Sequence, residues 1–176
     1  MDDLSIVIPA FNEDHDILKR LKSELVSLGA EVIIVDDGST VPYPDSIKHG
    51  ANFGYGSALM TAIKNSTRPI VMTIDGDGQH TISESVKLYS AFKLSGKCDM
   101  IVGKRRLDKE PFFRRFGRTL INVVASIVCW EWLPDLNSGA RIFKRDIVSG
   151  YLQILCRHFS FTTSLTISMI CDNYRV

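Results

Sequence analysis

Short runs of consecutive apolar residues organise the first half of this chain. Val, Ile and Leu fill most positions of Leu4–Ile8, Glu31–Val35 and Ile70–Ile74, and β-branched residues dominate these runs. Continuous runs of this kind are typical of strands buried on both faces, as in a parallel sheet, whereas a half-exposed strand alternates apolar and polar residues. The three runs therefore predict three buried parallel strands.

Segments with helical spacing separate these runs. Apolar residues recur every three or four positions from Ile17 to Leu28, and Gly29 is a suitable C-terminal stop. The alternation of strands and helices predicts an α/β fold, with a Rossmann-like, mostly parallel sheet flanked by helices in a single domain. The other predicted elements are helices over Ser57–Lys64 and from Ile82 to Phe92, and strands near Ser46–His49 and at Met100–Val102.

Each predicted buried strand ends in acidic or otherwise unusual residues. The first leads into Pro9-Ala10-Phe11-Asn12-Glu13, the second into Asp36-Asp37-Gly38, and the third into Asp75-Gly76-Asp77. The carboxyl ends of parallel strands lie at one edge of the sheet, where α/β proteins bind their ligands. The sequence therefore predicts an acidic ligand site at that edge.

Asp75 and Asp77 are the most informative pair, because residues two apart on extended backbone point the same way. Their oxygens suit Mg²⁺ or Mn²⁺, with water and substrate phosphates as the remaining ligands. A calcium loop starting at Asp75 is excluded, since its sixth position is His80 and its twelfth is Val86. A glycine-rich turn that merely caps a strand is the open alternative.

Two further turns have both a binding and a structural interpretation. Gly54 and Gly56 partly imitate a dinucleotide fingerprint, but the third glycine is missing and the turn does not follow the first strand. They either bring backbone close to a diphosphate or simply form a turn. Asp37 either holds a ribose or base edge, as carboxylates after a second strand often do, or belongs to an Asp-Gly-Ser turn without a ligand.

Composition limits the classes of function. The 176 residues are 45% hydrophobic, which is enough for one core, and the net charge of +1 argues against a nucleic-acid partner. No signal peptide is visible, and the apolar stretch Leu120–Leu133 is too short to span a bilayer. These features predict a cytoplasmic protein whose scattered cysteines are reduced core residues, namely Cys98, Cys129, Cys156 and Cys171.

One segment departs from this neutral balance. Lys104–Arg118 contains seven basic and two acidic residues, so its net charge is +5, and it includes Phe112, Phe113 and Phe116. A basic segment is usually a solvated face. Interleaved aromatic residues make a second interpretation possible, in which the segment contacts a membrane surface and an anionic lipid phosphate.

The motifs, in their order and spacing, resemble family 2 glycosyltransferases with the GT-A fold. The resemblance is carried by Ile8–Glu13, Val35–Ser39, Asn52–Gly56 and Asp75–His80. Gly103-Lys104-Arg105 and the stretch from Asp135 to Phe143 are similar to the polyprenyl-phosphate branch, the dolichyl-phosphate mannose synthase-like enzymes. That branch usually continues beyond the point where this chain ends, into a strand and a basic loop, so we expect a C-terminally shortened form.

The resemblance implies roles for individual residues. Asp77 and Asp135 would be catalytic, with Asp135 the candidate general base if the acceptor is a hydroxyl, and Asp37 would contact the base. Arg105 would give bidentate hydrogen bonds to the diphosphate. The residues expected to bind the nucleotide sugar are Pro9, Phe11, Glu13, Val35, Asp37, Asp75, Gly76, Asp77 and Arg105. Those expected to bind Mg²⁺ or Mn²⁺ are Asp75, Asp77 and Gln79. Those expected to lie on the acceptor side are Ser138 and Arg118.

The expected reaction is inverting transfer of a hexose from a nucleotide-diphosphate sugar, of the GDP-mannose or UDP-glucose type, to a polyprenyl phosphate. Residues 1–103 would form the nucleotide-sugar and metal half and residues 104–176 the acceptor half. The protein would lie peripherally at the cytoplasmic face of the membrane, with an anchoring partner or as a homo-oligomer. The alternatives are a glycan or protein hydroxyl as acceptor, or a non-catalytic nucleotide-sugar-binding subunit.

Overall fold

The computed structural model of the chain describes residues 1–103 and 138–176. The basic segment Lys104–Arg118, the apolar stretch Leu120–Leu133 and Cys129 lie outside the described residues. The strands are β1 (Leu4–Ala10), β2 (Glu31–Asp36), β3 (Ile47–Lys48), β4 (Ile70–Thr73), β5 (Met100–Val102) and β6 (Arg141–Lys144). The helices are α1 (His15–Ser27), α2 (Tyr55–Asn65), α3 (Ile82–Ser95), α4 (Arg145–Tyr151) and α5 (Phe161–Cys171).

The described strands form one six-stranded sheet in the order β3-β2-β1-β4-β6-β5. The pairs β1–β2, β1–β4 and β2–β3 are parallel, while β6 runs antiparallel to both β4 and β5. This confirms the predicted mostly parallel α/β sheet. Because β6 comes from the second half of the chain and pairs between β4 and β5, strands from both predicted halves share one sheet.

Two apolar layers explain why most positions of the buried strands are apolar. Val7 of β1 packs in a core with α2, α4 and α5, whereas its neighbours Ile6 and Ile8 face a second core with α1 and α3. All seven residues of β1 are buried. Successive side chains on a strand point to opposite faces, so a strand covered on both sides does not alternate apolar with exposed polar positions.

Local signals set the ends of the helices that flank the site. The Asp14 side chain caps α1 by accepting hydrogen bonds from the backbone N–H groups of Asp16, at 2.8 Å, and Ile17, at 3.2 Å. Gly29 follows α1 with φ +83°, a conformation that glycine adopts without strain, which confirms it as the stop. The helix α3 begins with a Thr81–Glu84 capping box.

The prediction for the cysteines was partly wrong. Cys98, Cys156 and Cys171 are free, but Cys171 is exposed and the other two are only half-buried, so none of the three is a core residue. In the part of the chain that the structure describes, we find no helix that is long and apolar enough to cross a bilayer.

Candidate active site

A cavity of about 720 Å³ opens at the carboxyl edge of the parallel strands. Its size lies within the range of sites that enclose small ligands and cofactors. The residues that follow β1, β2 and β4 meet the first turn of α2 there, as the strand-end pattern predicts. The lining residues are Pro9, Ala10, Phe11, Glu13, Asp37, Asn52, Gly54, Tyr55, Ala58, Asp75, Gly76, Asp77, Gly139, His158, Phe159 and Thr162.

The carboxylate of Asp75 is held from three sides. The Tyr55 hydroxyl donates a hydrogen bond of 2.9 Å to its Oδ1, and His80 Nε2 lies 3.6 Å from its Oδ2. Gly139 packs so closely that a Cβ atom at this position would lie 2.5 Å from both carboxylate oxygens. Thr73 fixes that glycine by donating a 2.5 Å hydrogen bond to its carbonyl oxygen. A side chain at position 139 would therefore displace the Asp75 carboxylate from this orientation.

Three carboxylates concentrate negative charge at this point. Burial, and then the charges of Asp77 and Asp75, raise the pKa of Glu13 above its ordinary value. Asp77 is exposed, and its Oδ1 accepts a 2.9 Å hydrogen bond from the backbone N–H of Gln79. The Gln79 residue itself is exposed and does not line the cavity. The mutual repulsion of these carboxylates would be relieved by a bound cation.

The residues at this site can supply some of the ligands of a divalent cation, with a substrate supplying others. Asp75 and Asp77 supply hard oxygen ligands, and both line the cavity. Within residues 1–103 and 138–176, no three His, Cys, Asp or Glu side chains are grouped to chelate an ion by themselves. This donor set suits Mg²⁺ or Mn²⁺, which commonly bind through one or two carboxylates together with water and substrate phosphates.

Asp37 organises the turn before α2. Its Oδ2 accepts a 2.7 Å hydrogen bond from the Gly54 N–H, and its Oδ1 accepts one of 3.0 Å from the Phe53 N–H. His49 Nδ1 lies 2.6 Å from the same Oδ1. The side chain is buried but still lines the cavity. Asp37 therefore has a clear structural role, and contact with a base or ribose stays a prediction.

Gly54 and Gly56 make room for the protein's own backbone. A Cβ on Gly54, where φ is +99°, would lie 2.8 Å from the carbonyl oxygen of Arg157, and one on Gly56 would lie 2.4 Å from that of Cys156. The Ser57 N–H donates a 2.9 Å hydrogen bond to the Arg157 carbonyl oxygen. The segment that follows α4 is thus pressed against the first turn of α2, which explains both glycines without a ligand.

The remaining predicted donor-site residues divide into two groups. Pro9, Phe11 and Gly76 line the cavity, and Phe11 is exposed enough to contact a ligand. Val35 does not line it, because its side chain is completely buried in the core beneath α2. Arg105, Arg118 and Asp135 lie outside the described residues.

Ser138 and Arg141 belong to a buried polar cluster that does not line the cavity. Both are completely buried, and Arg141 donates from Nε to the Ser138 carbonyl oxygen at 2.9 Å and from Nη1 to the Thr166 hydroxyl. Among the described residues the Ser138 hydroxyl has no hydrogen-bond partner. The predicted acceptor role of Ser138 remains a prediction.

Sequence reasoning missed one wall of the cavity. Tyr55 stacks on Phe159, with ring centroids 5.6 Å apart and planes inclined by 14°. His158 and Thr162 complete this wall. Tyr55 was within reach of sequence analysis, because it lies in the Asn52–Gly56 motif, but no local pattern marks His158, Phe159 or Thr162.

Comparisons with known proteins show the family and the fold of the chain. The family model of glycosyl transferase family 2 matches residues 5–157. An uncharacterized protein of Methanocaldococcus jannaschii is 32% identical over 159 residues, which cover 81% of this chain and 65% of that protein. The undecaprenyl-phosphate 4-deoxy-4-formamido-L-arabinose transferase of Proteus mirabilis is 24% identical over 169 residues, or 85% of this chain and 51% of the relative. The chain thus spans about half to two thirds of the length of these relatives.

The fold has solved counterparts. Glucosyl-3-phosphoglycerate synthase from Mycobacterium tuberculosis, in complex with Mn²⁺, UDP-glucose and phosphoglyceric acid, matches with a TM-score of 0.74 at 18% identity, over 97% of this chain and 66% of that one. Its complex with UDP alone gives a TM-score of 0.73. These matches show that the fold is GT-A. Since the family model covers most of the sequence, the chain belongs to glycosyl transferase family 2.

Proposed function

We propose that this protein is a metal-dependent inverting glycosyltransferase that moves a hexose from a nucleotide-diphosphate sugar to a phosphate-bearing acceptor. The observation that supports this most directly is the cluster of Glu13, Asp75 and Asp77 at the carboxyl edge of the sheet, in a cavity of about 720 Å³. A cavity lined by carboxylates repels an anionic diphosphate unless a cation lies between them.

The donor would bind across the ends of β1, β2 and β4. Phe11, Pro9 and Asp37 line the side of the cavity nearest β1 and β2, and we assign the nucleoside to them. Asp75 and Asp77 would hold the divalent ion, with Gln79 in support through water, and Arg105 would contact the diphosphate. The ion, when bound, would supply Lewis-acid stabilisation of the charge that develops on the leaving diphosphate.

A phosphate acceptor requires less of the site than a hydroxyl acceptor does. An acceptor phosphate is already ionised at neutral pH and needs no strong general base, whereas a sugar hydroxyl needs one, for which Asp135 is the candidate. The Proteus mirabilis relative is named for transfer involving undecaprenyl phosphate. We therefore favour a polyprenyl phosphate, with Ser138 and Arg118 on the acceptor side.

A lipid acceptor would place the protein peripherally at the cytoplasmic face of the membrane, held by the basic segment Lys104–Arg118, by an anchoring partner or through self-association. The main alternative is a nucleotide-sugar-binding subunit without catalytic activity. It shares the donor site, so donor binding alone does not separate the two. Transfer of a labelled hexose to a short-chain polyprenyl phosphate does, because a non-catalytic subunit transfers none.

Calorimetric titration of the wild-type chain with GDP-mannose, UDP-glucose and UDP-N-acetylglucosamine, with and without Mn²⁺, tests the donor site. Asp77→Asn removes one ligand charge without touching the apolar strands. We expect it to weaken nucleotide binding about tenfold or more in the presence of Mn²⁺ and to change metal-free binding little, since a hydrogen bond or ligand contact from a charged group contributes about 1.5–3 kcal/mol.

Asp45→Asn is the matched control. Asp45 is exposed and pairs with Lys22, with Nζ 3.5 Å from Oδ2, so its substitution also removes one carboxylate charge but outside the cavity. The control variant should bind like the wild type. Unchanged Mn²⁺-dependent binding in Asp77→Asn would show that the ion is held elsewhere and would refute the proposed metal site.

A further inference from the structure

Tyr55 connects the aromatic wall of the cavity to the carboxylate edge. It is the first residue of α2, and its hydroxyl donates to Asp75 Oδ1 at 2.9 Å while its ring stacks on Phe159. Both rings line the cavity. Phe159 is 82% exposed, so its contact with Tyr55 is made on the open side of the site rather than in the core.

The position of the Tyr55 ring is fixed by its surroundings. Gly54 and Gly56 on either side of it allow the backbone of residues 156–157 to approach the helix start, and the Ser57 N–H donates to the Arg157 carbonyl oxygen at 2.9 Å. The following residues bring Phe159 against the ring. The hydroxyl is thus directed at Asp75 by the packing of two segments that lie about 100 residues apart in the chain.

We propose that Tyr55 is a positioning residue for Asp75, and that its hydroxyl holds the carboxylate in the orientation needed to bind a divalent cation. This rests on the proposed function, in which Asp75 is a metal ligand. A carboxylate oxygen accepts more than one hydrogen bond or ligand contact, so the Tyr55 contact leaves Asp75 able to bind a cation. Groups that hydrogen-bond to metal-ligating carboxylates commonly change metal affinity by 10- to 100-fold when they are removed.

Tyr55→Phe isolates this role, because it deletes the hydroxyl and keeps the ring that stacks on Phe159. The measurement is the Mn²⁺ concentration that half-saturates binding of UDP or GDP, whichever the wild type binds, followed by calorimetry and by the electron paramagnetic resonance signal of free Mn²⁺. We expect Tyr55→Phe to need roughly tenfold more Mn²⁺, with metal-free nucleotide binding unchanged.

The chain offers a matched control. Tyr89, in α3, also donates a hydrogen bond to an aspartate, with its hydroxyl 2.6 Å from Asp3 Oδ1, but neither residue of this pair lines the cavity. Tyr89→Phe should therefore bind Mn²⁺ and nucleotide like the wild type. If Tyr55→Phe does not fold, Phe159→Ala replaces it, since loss of the stacked ring should raise the required Mn²⁺ concentration in the same direction.

A double-substitution cycle with Asp75→Asn separates positioning from a general structural effect. If the hydroxyl acts through Asp75, Tyr55→Phe has no further effect on Mn²⁺ affinity in the Asp75→Asn background. Wild-type Mn²⁺ affinity in Tyr55→Phe, or an equal loss in both backgrounds, would overturn the inference while leaving the proposed function in place. A wild-type chain that binds no nucleotide with Mn²⁺ would overturn both.

Discussion

Glu13 lies among the carboxylates of the site, and burial together with the charges of Asp77 and Asp75 raises its pKa above the ordinary value. The folded chain therefore keeps the Glu13 proton to a higher pH than the unfolded chain does. The resulting stabilisation is fully present below the unfolded pKa, and it is lost as the pH rises through the folded pKa. Above that window, ionised Glu13 destabilises the folded state.

Glu13→Gln should remove this pH dependence. Without divalent ions, we expect the melting temperature of the variant minus that of the wild type to increase as the pH rises from about 4.5 towards 7. The variant has no carboxyl at this position to ionise. Thermal unfolding at several pH values measures the difference. Glu24→Gln, at an exposed position of α1, is the control. A Glu13→Gln effect that is the same at all pH values would contradict the raised pKa.

The site residues that could be predicted from the sequence differ from those that could not in how far apart along the chain the residues that define each feature lie. Asp37, Asp75 and Asp77 were predictable, because a carboxylate that ends an apolar run is visible in a few consecutive residues. The Tyr55 contact with Asp75 spans 20 positions. The stack with Phe159 spans still more of the chain, and such contacts depend on how elements pack, which no local pattern encodes.

At the scale of elements, most of the first 103 residues followed the sequence pattern, with α1, α2, α3 and the first five strands close to their predicted places. The sequence predicts no element after Val102. β6 has only four residues, and neither its position between β4 and β5 nor its antiparallel direction follows from periodicity. Strand order is set by the packing of both sheet faces.

The segment that follows α4 lies close to the start of α2, which leads to opposite predictions for the stability of two glycine-to-alanine variants. Gly56→Ala should destabilise the protein by about 1–3 kcal/mol, because the new Cβ would lie 2.4 Å from the Cys156 carbonyl oxygen. Gly150→Ala, in α4, meets nothing within 4 Å and should be neutral or stabilise the helix by up to about 1 kcal/mol.

Urea unfolding of both variants measures this contrast. Glycine lowers helix stability relative to alanine, so helix propensity alone would make both substitutions stabilising. Opposite signs for the two variants would thus identify packing as the cause of the Gly56 effect. If Gly56→Ala were as stable as Gly150→Ala, residues 156–157 would not lie against α2 in solution.

At the scale of the whole molecule, the identity of the acceptor is tested through the basic segment Lys104–Arg118. Its sequence combines positive charge with aromatic residues, as expected of a segment that contacts an anionic lipid surface. Replacing Arg114, Arg115 and Arg118 with Gln should reduce sedimentation with anionic liposomes. Each basic side chain near an anionic surface contributes about 1 kcal/mol, so three together correspond to roughly a hundredfold in binding. Nucleotide binding should remain intact, and the residual liposome binding should depend less on salt.

A variant with the same loss of charge elsewhere is the control for this experiment. Lys19, Arg20 and Lys64 are exposed on α1 and α2, and their replacement with Gln should leave liposome binding close to that of the wild type if the basic segment is responsible. Wild-type protein that never binds such liposomes, yet glycosylates a soluble hydroxyl acceptor, would refute the polyprenyl proposal and favour Asp135 as general base.

The insertion of β6 between β4 and β5 has a consequence for synthesis on the ribosome. Residues 103–140 separate β5 from β6, so about 38 residues must be made after β5 before its partner emerges, which takes on the order of 2–8 s at common translation rates. Until then, among the strands that the structure describes, β5 has no neighbour in the sheet order and β4 is paired on one edge only. We expect the nascent chain to be most prone to aggregation, and most dependent on chaperones, during this interval.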